Sequence, residues 1–123
     1  MEVPAGKRNK MIVCIYEAIG TGLLVYSINI CGRGPPEGSP FGKFGISFTL
    51  FALILIAGPI SGAHFNPAVT LGVYISNVHW KEDWGFCLLI MLAEFVGAMW
   101  GMCLSWLSLY NTSGNNTTRT QVP

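Results

Sequence analysis

Charge is scarce in this sequence: seven Lys and Arg and six Asp and Glu make up 11% of 123 residues. Soluble domains carry about 25% charged residues, so an ordinary hydrated surface is excluded. The net charge is +1, and Lys and Arg form no stripe, so nothing here attracts nucleic acid. Histidine occurs twice, as His64 and His79, a spacing that offers no metal site. Neither a nucleophile–base pairing nor a phosphate loop is present, which argues against an enzyme, and no cofactor is implied. The four cysteines, Cys14, Cys31, Cys87 and Cys103, show no metal spacing and no secreted-domain framework. They read as small apolar helix residues. The opening Met1–Lys10 is short and polar, contains Glu2, and is not rich in Arg or Ser. The apolar run that begins at Met11 exceeds the roughly 7–15 residues of a signal-peptide core. A cleavable signal or transit peptide is therefore not expected.

Apolar residues dominate instead, at 51%. A bilayer core of about 30 Å needs about 20 apolar residues in a helix. Residues 11–31 meet that length with Glu17 as the single interruption, and 44–60 form a second stretch that ends near Gly58 and Pro59. Residues 84–110 form a third, long enough to tilt or project. The intervening Gly32, Gly34, Pro35, Pro36, Gly38 and Pro40 mark a connecting loop. The chain thus divides into a polar segment 1–10, a membrane domain 11–110, and a polar tail 111–123 expected to be disordered. Lys7, Arg8, Lys10 and Lys81 on one side, against Arg33, Lys43 and Arg119 on the other, place the N-terminus inside by a small margin. The tail sequons at Asn111, Asn115 and Asn116 would face the opposite side and carry little weight.

Between the second and third stretches lies Ser61-Gly62-Ala63-His64-Phe65-Asn66-Pro67-Ala68-Val69-Thr70. Asn accepts from a backbone N–H as a helix cap, and Pro is preorganised for the first helical position. A helix from there to about Ser76 rises about 15 Å, half a bilayer. The segment is largely apolar, which fits a re-entrant loop and half-helix better than a surface linker. Non-helical backbone at that depth is tolerated only where protein buries it or water lines it, so residues 61–76 read as a pore segment.

The same ten residues closely resemble the first signature of the aquaporin, or major intrinsic protein, family. That family carries the signature twice, in two inverted halves of three spans and a half-helix each; this sequence carries it once. The resemblance implies an all-α membrane protein with an aquaporin-like half fold: three transmembrane helices plus one re-entrant half-helix. It further implies Asn66 as a pore donor, Pro67 as a stacking contact and Ala68 as a close-packed partner. The carbonyls of Gly62, Ala63 and His64 would be acceptors along the path, while the half-helix dipole opposes cations and protons.

Glu17, followed by Gly20 and Thr21, matches the family glutamate that accepts backbone N–H groups and braces the loop. An ionisable residue inside a span invites a functional reading, and support of the loop is favoured over proton transfer. Glu94, in Ala93-Glu94-Phe95-Val96-Gly97, stands where the family usually has Gln. Ionised, it accepts the same contacts, and protonated it donates one; either it pairs with a partner subunit or it stays neutral. His64 is expected as a hydrogen-bonded loop residue, with gating by protonation as the sharper alternative. His79, beside Lys81, Glu82 and Asp83, reads as interfacial and solvated.

Ala18/Gly22 and Ala93/Gly97/Gly101 recur at four-residue spacing and allow helices to approach closely. Trp80, Trp84 and Tyr110 fit interfacial anchors. At the family's filter position, an ungapped match selects Ile46, whereas a local shift selects Phe44; the filter arginine has no counterpart. Two partners besides membrane lipid follow from a single half. One is a second half-channel chain, inverted copy or different protein, that completes a water or small-neutral-solute path. The other is a larger membrane complex in which this chain is a non-conducting accessory subunit. A fragment of a longer channel is the third reading. The host membrane stays open between the plasma membrane and an organelle, the mitochondrial inner membrane included.

Overall fold

The computed structural model describes residues 9–32, 40–76 and 83–119, except the side chains of 40, 41 and 111–119. His79, Trp80, Lys7, Arg8, Arg33 and Lys81 lie outside these. Among the described residues the chain is all-helical: α1 (Lys10–Cys31), α2 (Pro40–Ala57), α3 (Pro67–Ser76) and α4 (Trp84–Arg119).

Local chemistry accounts for the helix ends. Asn9 caps α1, its Oδ1 accepting from Met11 N at 3.1 Å. At the far end the N–H of Gly32 donates to the Ile28 carbonyl at 2.9 Å. Helix α2 starts earlier than the sequence suggests, at Pro40, because proline suits a first helical turn. It also ends earlier, at Ala57, since Pro59 disfavours helical backbone at Gly58. Helix α4 runs on to Arg119, through residues expected to form a disordered tail. No proline intervenes before Pro123, and the lone Gly114 costs only about 1 kcal/mol within a helix. At 36 residues α4 is about 54 Å long, well beyond a hydrocarbon core of about 30 Å.

Helix α1 is central, packed on α4 along most of its length and on α2 on another side; α3 packs on α4. Helices α1 and α4 run parallel. Lys10 sits over the Phe86 ring at 5.0 Å, Gly97 meets the Ala18 carbonyl, Gly101 meets the Gly22 carbonyl, and Tyr26 Oη lies 3.5 Å from Ser108 Oγ. No Cβ fits at Gly97 or Gly101, because backbone of α1 occupies the space. The four-residue spacing of small residues is therefore the seam where the two backbones touch. Helix α2 runs antiparallel to α1, with Ser27 Oγ 3.0 Å from Thr49 Oγ1 and Gly45 against Cys31.

Among the described residues, two helices are long and apolar enough to cross a membrane, Lys10–Cys31 and Trp84–Tyr110. The apolar part of α2, Gly42–Ala57, is shorter. Many large apolar side chains face outward, among them Phe48, Phe51, Leu55, Leu92, Met99 and Trp106. Among the described residues the largest fully buried side chains are different in kind: Glu17, Glu94, Thr70 and Cys87. Large apolar side chains outside and carboxylates within, beside a small apolar core of Val13, Ala57, Phe65 and Ile90, are what a hydrocarbon solvent selects.

Candidate functional site

The buried polar side chains converge on the loop between α2 and α3. After α2 the chain continues as turns, with Ile60 N and Ser61 N donating to the Ala57 carbonyl at 2.9 and 2.7 Å. Ser61 Oγ then accepts from Ala63 N at 3.1 Å. Gly62 adopts φ 106°, and Ala63 and Phe65 adopt φ 54° and 50°. A left-handed conformation costs a non-glycine residue about 1–2 kcal/mol, so two of them flanking His64 need support from elsewhere.

Glu17 on α1 supplies it. Fully buried, it accepts from His64 N through Oε1 at 3.1 Å and from Phe65 N through Oε2 at 2.8 Å. One carboxylate thus satisfies two consecutive backbone donors, and hydrogen bonds to a charged acceptor are roughly twice as strong as neutral ones. The Phe65 ring lies against the backbone of Gly20, where no side chain would fit. A turn of α1 therefore holds the loop by both its carboxylate and its glycine.

Beyond Phe65 the chain enters α3. Asn66 Oδ1 accepts from Ala68 N at 2.9 Å, and the Asn66 carbonyl accepts from Thr70 N at 2.9 Å. Pro67 occupies the first helical position, where its missing N–H removes no hydrogen bond. Because capping uses the side-chain oxygen, the exposed Asn66 side chain turns its amide Nδ2, a double donor, away from its own helix. Among the described residues no hydrogen bond reaches that amide or the carbonyls of Gly62, Ala63 and His64. Three acceptors and one donor are thus grouped at a helix N-terminus.

Behind this edge runs a second set of contacts. His64 Nδ1 lies 2.9 Å from Thr70 Oγ1, and Thr70 Oγ1 lies 2.6 Å from Glu94 Oε1. Glu94 finds its partner within its own chain, accepting from Thr70, and the Asn66 N–H interacts with the same carboxylate. Its Oε2 has no partner among the described residues. Thr70, 0% exposed, is the residue that sequence reasoning missed. Its one sequence signal was a hydroxyl four residues after the cap on a largely apolar helix.

The candidate filter residues stand apart. On α2, Ile46 is half-buried and Phe44 is 73% exposed. Neither α3 nor α4 packs on α2, so the structure does not bring these two to the Asn66 cluster. Trp84 and Tyr110 are both exposed, and Tyr110 stacks on Trp106 with ring centroids 5.3 Å apart.

Comparison with known proteins places this arrangement. The chain is 34% identical over 103 residues to the aquaglyceroporin AqpS of Rhizobium meliloti (strain 1021), covering 76% of this chain and 42% of the relative. It is 38% identical over 104 residues to the glycerol uptake facilitator protein of Escherichia coli (strain K12), covering 80% of this chain and 36% of the relative. Against Aquaporin-1 of Rhizophagus irregularis it is 30% identical over 110 residues, covering 82% of this chain and 38% of the relative. The chain therefore spans about two-fifths of the length of these curated relatives. No solved structure matches it. A family model, that of the major intrinsic protein, matches residues 7–122. With the signature loop, its glutamate brace and this near-complete match in hand, the chain belongs to the major intrinsic protein family of integral membrane channels.

Proposed function

We propose that this chain supplies one half of a membrane path for water or a small neutral solute, the other half coming from outside residues 1–123. In this reading α1, α2 and α4 cross the bilayer, and residues 61–76 enter it as a loop and return as α3. The 10-residue α3 rises about 15 Å, which reaches the midplane of a hydrocarbon core of about 30 Å. The single observation that carries the proposal is the Asn66 cap: its oxygen is held by Ala68 N, leaving the amide donors and three loop carbonyls for a passing solute. Small polar neutral molecules exchange hydrogen bonds along such a line, while the positive end of the helix dipole repels cations.

One half does not enclose a path. The tip of α3 needs an opposing tip, which an inverted second copy or a different chain of the same family would bring. Purification in mild detergent with mass measurement, then an osmotic flux assay in liposomes, tests this. Flux confined to the paired state and lost in Asn66→Ala supports the proposal; flux unchanged by that substitution refutes the donor role.

A second reading is a non-conducting accessory subunit of a larger membrane complex. Glu94 favours it, as a carboxylate at a position where the family usually has a neutral amide. A stoichiometric place in such a complex, with no flux, would establish it over the first.

A further inference from the structure

The contacts from His64 through Thr70 to Glu94 obey a proton count. A threonine hydroxyl has one hydrogen and can donate only once. Thr70 Oγ1 is fully buried and lies between two groups, His64 Nδ1 at 2.9 Å and Glu94 Oε1 at 2.6 Å. When Glu94 is ionised it only accepts, so the hydroxyl hydrogen points to it. The hydroxyl lone pair then faces Nδ1, which must carry hydrogen, and Nε2 of a neutral His64 is left as an acceptor.

When Glu94 is neutral, its proton has two possible seats. Oε2 has no partner among the described residues, and a buried O–H there would be an unsatisfied donor. On Oε1 the proton is donated to Thr70, and Oε2 stays a bare acceptor, so no buried donor is left unsatisfied. Oε1 is therefore the better seat. The Thr70 hydrogen, no longer held by Glu94, then turns to His64 Nδ1, the other group its hydroxyl meets, and the imidazole proton moves to Nε2.

We propose that Glu94, acting through the Thr70 hydroxyl, sets which nitrogen of His64 carries the proton, so that Nε2 is an acceptor when Glu94 is ionised and a donor when it is neutral. That edge is well placed to matter. A Cβ on Gly62 would stand 3.0 Å from His64 Nε2, so the nitrogen lies directly over a loop glycine whose carbonyl is among the candidate solute acceptors. Glu94 and Thr70 are positioning residues here, acting on the path only through the imidazole. The proton relay itself stands whether or not solute passes.

The other titratable groups near Glu94 are few. Glu17 faces it from α1, Cys87 lies on its own helix, and His64 reaches it by Thr70. Tyr74, on α3, neighbours Cys87, Cys14 and Asp83. Helix α2 contributes none, since it packs on neither α3 nor α4.

The test uses the full chain in lipid with His79→Gln, which leaves His64 as its sole imidazole. Ring ¹⁵N solid-state NMR across pH reads the tautomer, and ¹³C of the Glu94 carboxyl reads its ionisation. The expected result is an exchange of the protonated ¹⁵N signal from Nδ1 at high pH to Nε2 at lower pH, in a still neutral ring, with the same midpoint as the carboxyl. Thr70→Val should abolish the exchange and Thr70→Ser restore it; Glu94→Gln should hold one tautomer at every pH. A single tautomer throughout in the Thr70 protein, direct passage to a doubly protonated ring, or an exchange that survives Glu94→Gln overturns the proposal.

Discussion

Glu17 Oε2 accepts the backbone N–H of Phe65 at 2.8 Å, across 48 residues of sequence, while its other oxygen holds His64 N. A side chain on α1 thereby stabilises left-handed backbone at Phe65 that the loop would not adopt alone.

Removing that carboxylate should be costly. Each orphaned buried donor costs about 1–3 kcal/mol, so Glu17→Ala is expected to destabilise the fold by roughly 2–6 kcal/mol. Glu17→Gln keeps one acceptor oxygen and should cost about half as much. Loss of helical signal on denaturation in detergent checks both; equal stability of Glu17→Ala and the parent would contradict the bracing role.

The α1–α4 seam gives a steric prediction with an internal control. Gly97→Ala places a methyl group on the Ala18 carbonyl, which the helices can relieve only by separating. An overpacking cost of about 1–3 kcal/mol is expected. Gly72→Ala on α3 meets nothing within 4 Å and should instead stabilise by up to about 1 kcal/mol. Melting temperatures of the two variants should move in opposite directions.

Asn66 caps α3 and, in the proposed function, also donates to a solute; Asp separates the two. Asn66→Ala loses the cap at a cost of about 1 kcal/mol. Asn66→Asp keeps the capping oxygen and should retain near-parental stability, yet it removes the amide donors. Flux of the assembled channel through Asn66→Asp should drop about tenfold or more, the equivalent of one hydrogen bond of about 1.4 kcal/mol. Parental flux through a stable Asn66→Asp protein would assign the residue to capping alone.

Between α1 and α2, Ser27 and Thr49 share a hydrogen bond of 3.0 Å, and Thr49 Oγ1 also donates to the Gly45 carbonyl at 2.8 Å. Interhelical bonds of this kind average about 0.6 kcal/mol in membrane proteins, because the separated helices find other partners. A double-mutant cycle with Ser27→Ala and Thr49→Val should return a coupling of that order. A coupling of zero would mean that packing alone joins α2 to α1.

Legibility in the sequence followed the range of the interaction. The start of α3 could be read because capping by Asn66 and the preference of Pro67 for a first turn act within a few residues. The spacing of Ala18, Gly22, Gly97 and Gly101 was visible, but not which small residue meets which. The role of Thr70 was invisible: one hydroxyl on a largely apolar helix gains meaning only when α4 lies against α3. The ends of α2, and the continuation of α4 past the apolar span that closes at Tyr110, were not legible for a different reason. Hydropathy marks where a chain is apolar, whereas Pro40, Pro59 and the absence of proline before Pro123 decide where a helix starts and stops.

Composition, apolar run length and the capped Asn66-Pro67 start by themselves determined a helical membrane chain with one short helix entered through a glycine-containing loop. Only the tertiary structure decided that Glu17 holds that loop from 47 residues away and that Thr70 joins His64 to a glutamate 24 residues further on. The physical reason is that a hydrogen bond is specified by position within about 3 Å, and distant residues acquire such positions only when glycine seams and buried carboxylates lock the helices together.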